Sequence, residues 1–104
     1  MKKLSEKIDS EYCLKCEVGK GVFSTEYLVS FPCYDDFGNL SIEKLLIYEK
    51  YVDSEKKLVR ADLIDIYNPT PKIKQTHAEV VLVENGHIYH RLKVPIKILV
   101  ENSI

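Results

Sequence analysis

The chain is expected to fold as a mainly β domain, a small antiparallel sandwich or partly closed barrel of about six strands. Three observations predict this. Ten valines, ten isoleucines and seven tyrosines supply the β-branched and aromatic side chains that pack well on pleated surfaces. Apolar and polar residues alternate with a period of two over several segments, the spacing of half-buried strands. Asn85-Gly86, flanked by apolar runs, suits a tight hairpin turn.

Length and composition bound the rest. With 104 residues, of which 45% are apolar, the chain suits a single β domain over 1–104 that needs no metal or disulfide to build a core. No charge-free stretch reaches the roughly 18–20 residues of a membrane-spanning helix. Fifteen basic against sixteen acidic side chains point to neither nucleic acid nor an anionic membrane through bulk charge. Residues 1–67 carry ten basic and thirteen acidic groups, and 68–104 carry five and three, a mild asymmetry. The basic start Met1-Lys2-Lys3 is not followed by the apolar run of a signal peptide, so residues 1–10 read as a charged N-terminal arm. Three cysteines cannot all pair within one molecule, and reduced thiols in the cytoplasm are the simpler expectation.

The elements follow in order. Tyr12, Leu14, Cys16 and Val18 alternate with Cys13, Lys15 and Glu17, giving a first strand ended by Gly19-Lys20-Gly21. Phe23, Thr25, Tyr27, Val29 and Phe31 share a face of a second strand, which Pro32 and the turn residues 35–39 should break. Residues 40–52 fit a long strand, with a short helix as the alternative. As a strand, Leu45, Ile47 and Tyr51 share one face, and Ile42, Leu46, Tyr48 and Val52 the other with Lys44 and Lys50. The polar segment 53–57 would close a hairpin between this strand and one at 58–67. Asn68-Pro69-Thr70-Pro71 reads as a crossing between sheet edges. The C-terminal hairpin joins 78–84 to 87–92 through a type I′ turn at Asn85-Gly86, aligning Val81 and Val83 with Ile88, His90 and Leu92. Pro95 leaves 96–100 as an edge strand or as the start of a new pairing.

Chemical motifs are sparse. Cys13-Leu14-Lys15-Cys16 has the spacing of two thiolates that grip one metal, and Cys33 with His77, His87 or His90 could complete a structural zinc site. In a straight strand, however, the offset of three sends Cys13 and Cys16 to opposite faces. Cys33, after Pro32, falls in an expected loop. No nucleophile elbow, Walker loop, zincin helix or dinucleotide fingerprint is present, so no catalytic or cofactor-binding residue is assigned. The expectation is therefore a noncatalytic β module that associates with a protein partner or with itself. Tyr48, Tyr51, Tyr67, Tyr89 and Arg91 are the candidate contact residues, because tyrosine offers a broad apolar ring with a polar tip and arginine is enriched at interfaces. Edge pairing through 96–100 offers a route to a homodimer. One alternative is single-stranded nucleic-acid binding through Tyr89, Arg91, Lys93 and Lys97 with Lys72 and Lys74 nearby. A second is an enzyme whose site is assembled from dispersed Cys, His and Asp side chains.

Overall fold

The computed structural model describes residues 4–69 and 76–102. It is mainly β, with nine strands among the described residues: β1 Tyr12–Lys15, β2 Glu17–Lys20, β3 Glu26–Tyr34, β4 Leu40–Tyr48, β5 Val52–Asp53, β6 Leu58–Tyr67, β7 His77–Asn85, β8 Ile88–Pro95 and β9 Leu99–Glu101. All ladders are antiparallel. The order is β2-β3-β8-β7-β6-β1-β9, with β4 on the far side of β3 and β5 on β6. Only Cys16 separates β1 from β2. One bent strand therefore ladders to β6 with its first half and to β3 with its second, which curls the sheet into a half-barrel. The weakest seam lies between β3 and β8, where a single ladder pair, Tyr34 with Lys93, is formed.

Leu14, Val29, Phe31, Ile47, Val59, Val80, Leu82 and Val94 fill the interior. A smaller cluster of Ile8, Cys13 and Leu58 lies behind β1, with Val100 packed on it. The N-terminal arm covers this second cluster. Ser5 and Ile8 are fully buried, and the Asn102 side chain bonds the backbone of Ser5, Ile8 and Ser10.

Several boundaries differ from the sequence expectation, each for a local reason. Gly19 and Lys20 stay within β2, and the chain reverses at 21–25 instead. There a Cβ on Gly21 would stand 2.6 Å from the Glu26 carbonyl oxygen, while the Glu26 carboxylate accepts the N–H groups of Val22 (3.0 Å) and Phe23 (3.1 Å). Phe23 and Thr25 belong to this turn and not to the second strand. Pro32 does not end β3. Along one edge, β2 ladders to Tyr27–Ser30 and β8 only to Tyr34, so a missing N–H at Pro32 breaks no ladder bond on that side. Cys33 accordingly sits inside a strand, buried, and not in a loop.

The turn at 35–39 forms as expected. The Asp35 carboxylate accepts the N–H groups of Phe37 (2.9 Å) and Asn39 (2.8 Å), and Gly38 takes φ of 80°. The 40–52 segment is a strand to Tyr48, then one 3-10 turn at Glu49–Tyr51, then β5. Both readings thus hold in part, but β4 ladders to β3 along its whole length. Only Val52 and Asp53 make the hairpin with β6.

At the C-terminal hairpin the register is displaced by one residue. The Asn85 side chain accepts the His87 N–H at 3.0 Å, an Asx turn that makes Asn85 the residue before the turn, with Gly86 and His87 at its centre. Neither Asn85 nor Gly86 has the positive φ of a type I′ turn. The ladder opens with Asn85 opposite Ile88 and is irregular between Val83 and Asn85, which takes up one residue, so that Val80 opposes Leu92 and Leu82 opposes His90, while Val81 and Val83 oppose Arg91 and Tyr89. Finally, 96–100 starts a new pairing, but only with its second half. Ile96–Ile98 forms a 3-10 turn, and only β9 pairs, with β1. The Pro-rich crossing at 70–71 and Lys72 and Lys74 lie outside the described residues.

Candidate association surface

The sequence-derived metal candidates do not converge. Cys13 points into the small cluster behind β1 and Cys16 into the main interior, the divergence that an offset of three requires in extended chain. Burial pushes the Cys13 thiol up to about 11 and the Cys16 thiol up to about 12, and raises Cys33 as well. Such thiols are poor nucleophiles and poor ligands at neutral pH. His87 is exposed in the turn, and His90 Nε2 lies 3.0 Å from a Glu84 carboxylate oxygen. Among the described residues, no three His, Cys, Asp or Glu side chains stand together as a metal site.

His77 is the unusual member of this set. It stacks on Tyr34 with ring centroids 3.8 Å apart and meets Tyr67 edge-on at 5.8 Å. The Tyr34 stack spans the single-pair seam between β3 and β8. The imidazole is buried, and its Nδ1 has no hydrogen-bond partner among the described residues. Burial, helped by the Lys93 ammonium, lowers its pKa from the ordinary 6.5. A base whose folded pKa is depressed contributes stability that is present above its unfolded pKa and is lost as pH falls through the folded value. The melting temperature should therefore decline as pH drops below about 6.5, and His77→Phe, which keeps the stack and removes the titration, should flatten that slope. A slope unchanged in the variant would assign it to other groups.

The proposed contact residues are dispersed. Tyr48 is 43% exposed on β4 and Tyr89 is 61% exposed on β8. Tyr51 is half-buried against the interior, with the Lys50 ammonium 5.0 Å and the Arg60 guanidinium 5.6 Å from its ring centroid. Tyr67 is half-buried beside His77. Arg91 shares the outer face of β8 with Tyr89 and Lys93 but is bound to the Glu79 carboxylate through Nε at 2.8 Å and through Nη2. That ion pair removes much of the basic character of the strip.

A more continuous surface lies on the β3–β4 hairpin. The ladder places Tyr27, Val29, Phe31 and Cys33 with Ile47, Leu45, Glu43 and Ser41 on the inner face. The outer face pairs Leu28 with Leu46, Pro32 with Ile42 and Tyr34 with Leu40, and is interrupted by Ser30 and Lys44. Ile42 is 63% exposed and Leu40 53%, while Phe37 in the adjoining turn is 90% exposed. At the other end, Val22 and Phe23 lie in the 21–25 turn beside Tyr48, with the Glu49 N–H donated to the Thr25 carbonyl at 2.9 Å. Among the described residues, six of the twelve large apolar side chains that are well exposed fall between residues 22 and 48, so the apolar surface is concentrated on one hairpin about 30 Å long. Beyond Tyr48, sequence reading missed these residues. The period of two had separated the Ile42 face of 40–52 from the Leu45 face, but it carried no sign of which face would be buried.

Comparison of the chain with protein-family models, with curated proteins and with solved structures gives no match in any of the three. Among the described residues, no helix is long and apolar enough to cross a membrane.

Proposed function

We propose that this chain is a noncatalytic protein-association module that presents the outer face of the β3–β4 hairpin to a protein partner or to a second copy of itself. The observation that carries this is the group Phe37, Leu40 and Ile42, well exposed at the 35–39 end of the hairpin, with Tyr48 exposed on the same face beyond Lys44. Isolated exposed apolar residues are ordinary on soluble proteins, whereas a contiguous group marks a contact surface. The outer edge of β4 has no ladder partner among the described residues. Lys44 projects from its middle and Glu43 is turned inward, both features that discourage indiscriminate strand pairing. The face of the sheet is therefore a better contact than its edge. Three free, buried cysteines support a reducing, cytoplasmic setting.

Sedimentation velocity over a range of concentrations, with co-purification from native extract, tests the proposal. The wild type should self-associate or retain a defined partner, and Ile42→Asp should abolish this while changing folding stability by less than about 1 kcal/mol. Ile88→Asp, on an apolar side chain away from the hairpin, should leave association intact. A wild type that stays monomeric and retains nothing sensitive to Ile42→Asp would overturn the proposal.

A further inference from the structure

We infer that the cleft at the bend between β1 and β2 binds an amphiphilic carboxylate, a small molecule with an anionic head and an apolar tail. The cleft has a volume of about 760 Å³, within the range of small-molecule sites. Leu58 and Val100 give it apolar walls, and Leu4 of the N-terminal arm closes one side. Lys15, Lys56 and Lys57 line it together with a single carboxylate, Glu17. A partly apolar, open cleft at which Lys15 and Lys57 face a single carboxylate, with Lys56 held by the Leu4 carbonyl, favours a ligand whose tail rests on the apolar wall and whose head is negative.

The lysines are not equivalent. Lys56 donates from Nζ to the Leu4 carbonyl and holds the arm as a wall. Lys15 has no partner among the described residues. Lys57 pairs with Glu17 at 3.3 Å, and both side chains are largely exposed, so a competing carboxylate can take the place of Glu17 at little cost.

Lys57 is also the one non-glycine residue among the described residues with positive φ, at 55°. It ends the four-residue loop between β5 and β6, a position where glycine or asparagine is relieved of strain and lysine is not. Lys57 thus combines a left-handed backbone with a cation on the wall of the cleft, and strain of this kind gathers at ligand clamps. The apolar walls and the excess of cations point to the same ligand class independently of that strain.

The test uses the full chain and two probes with the same tail, decanoate and decyltrimethylammonium, followed by amide chemical shifts. Decanoate should shift residues 57, 58 and 100 saturably, and decyltrimethylammonium should not. Lys57→Gly should melt at or above the wild-type temperature yet bind decanoate about fivefold more weakly, and Glu17→Gln, which frees Lys57, should bind it about twofold more tightly. A loop lysine with only a structural role would leave both affinities unchanged. Equal response to the two head groups, decanoate shifts that do not saturate, or a Lys57→Gly affinity equal to wild type would each overturn the inference.

Discussion

Replacing Asn102 with alanine is expected to destabilise the fold by about 3 kcal/mol, because one buried side chain serves four backbone polar groups that would be left unsatisfied. Its Oδ1 accepts the Ser5 N–H at 2.7 Å, and its two Nδ2 hydrogens are shared among the carbonyls of Ser5 (3.3 Å), Ile8 (3.0 Å) and Ser10 (3.1 Å). These bonds join the two ends of the chain, with a second tie where the Ser5 hydroxyl donates to the Asp53 carboxylate at 2.6 Å. Burial alone would raise the Asp53 pKa, but the Ser5 hydroxyl and the Lys56 N–H and ammonium bring it below the ordinary 3.8. In the variant, the arm can escape the penalty only by leaving for water, and it then uncovers Cys13 and Leu58. The expected readouts are a melting temperature lower by about 12 °C or more and hydrogen exchange that quickens first at residues 5–10. A loss below about 1 kcal/mol would mean that water replaces the amide without strain.

Phe31→Ala should cost about 3–5 kcal/mol, the largest effect of any single truncation in the interior. Phe31 is 1% exposed and opposes Glu43 across the β3–β4 ladder. On the edge away from β4 it lies where β3 passes from β2 to its lone pair with β8, so the neighbouring backbone is laddered on one side only. Chemical denaturation followed by circular dichroism checks this. A cost under about 1.5 kcal/mol would show that the half-barrel collapses into the space the ring leaves. The contrast with Ile42, one ladder step away on the opposite face, is sharp. Truncating Phe31 should unfold the hairpin without being specific to association, whereas Ile42→Asp should abolish association with little effect on folding.

The part of the candidate surface legible in the sequence was its parity. Ile42, Leu46, Tyr48 and Lys44 could be assigned to one face because side chains alternate along a strand whatever it pairs with. That this face is the outer one was not legible, since Leu45 and Ile47 offer the interior just as much apolar bulk. The decision came from β3, whose inner residues Val29 and Phe31 sit opposite Leu45 and Glu43, a pairing between residues twelve or more positions apart. The cleft was illegible for a similar reason. Leu4, Lys15, Lys57 and Val100 come from four separate segments, and no local spacing connects them.

What the residues determined by themselves was local: the β class, from branched and aromatic content; the turn at 35–39, from the short reach of the Asp35 side chain; and the divergence of Cys13 and Cys16, from an odd offset in extended chain. Only the tertiary structure decided which strands ladder, which faces are buried and how the ends of the chain meet. A ladder bond costs the same backbone conformation with any partner, so the choice rests on how distant side chains pack. At the C-terminal hairpin, the Asn85 turn moves the first pair to Asn85 and Ile88, and the ladder irregularity between Val83 and Asn85 then sets Val80 opposite Leu92 and Leu82 opposite His90.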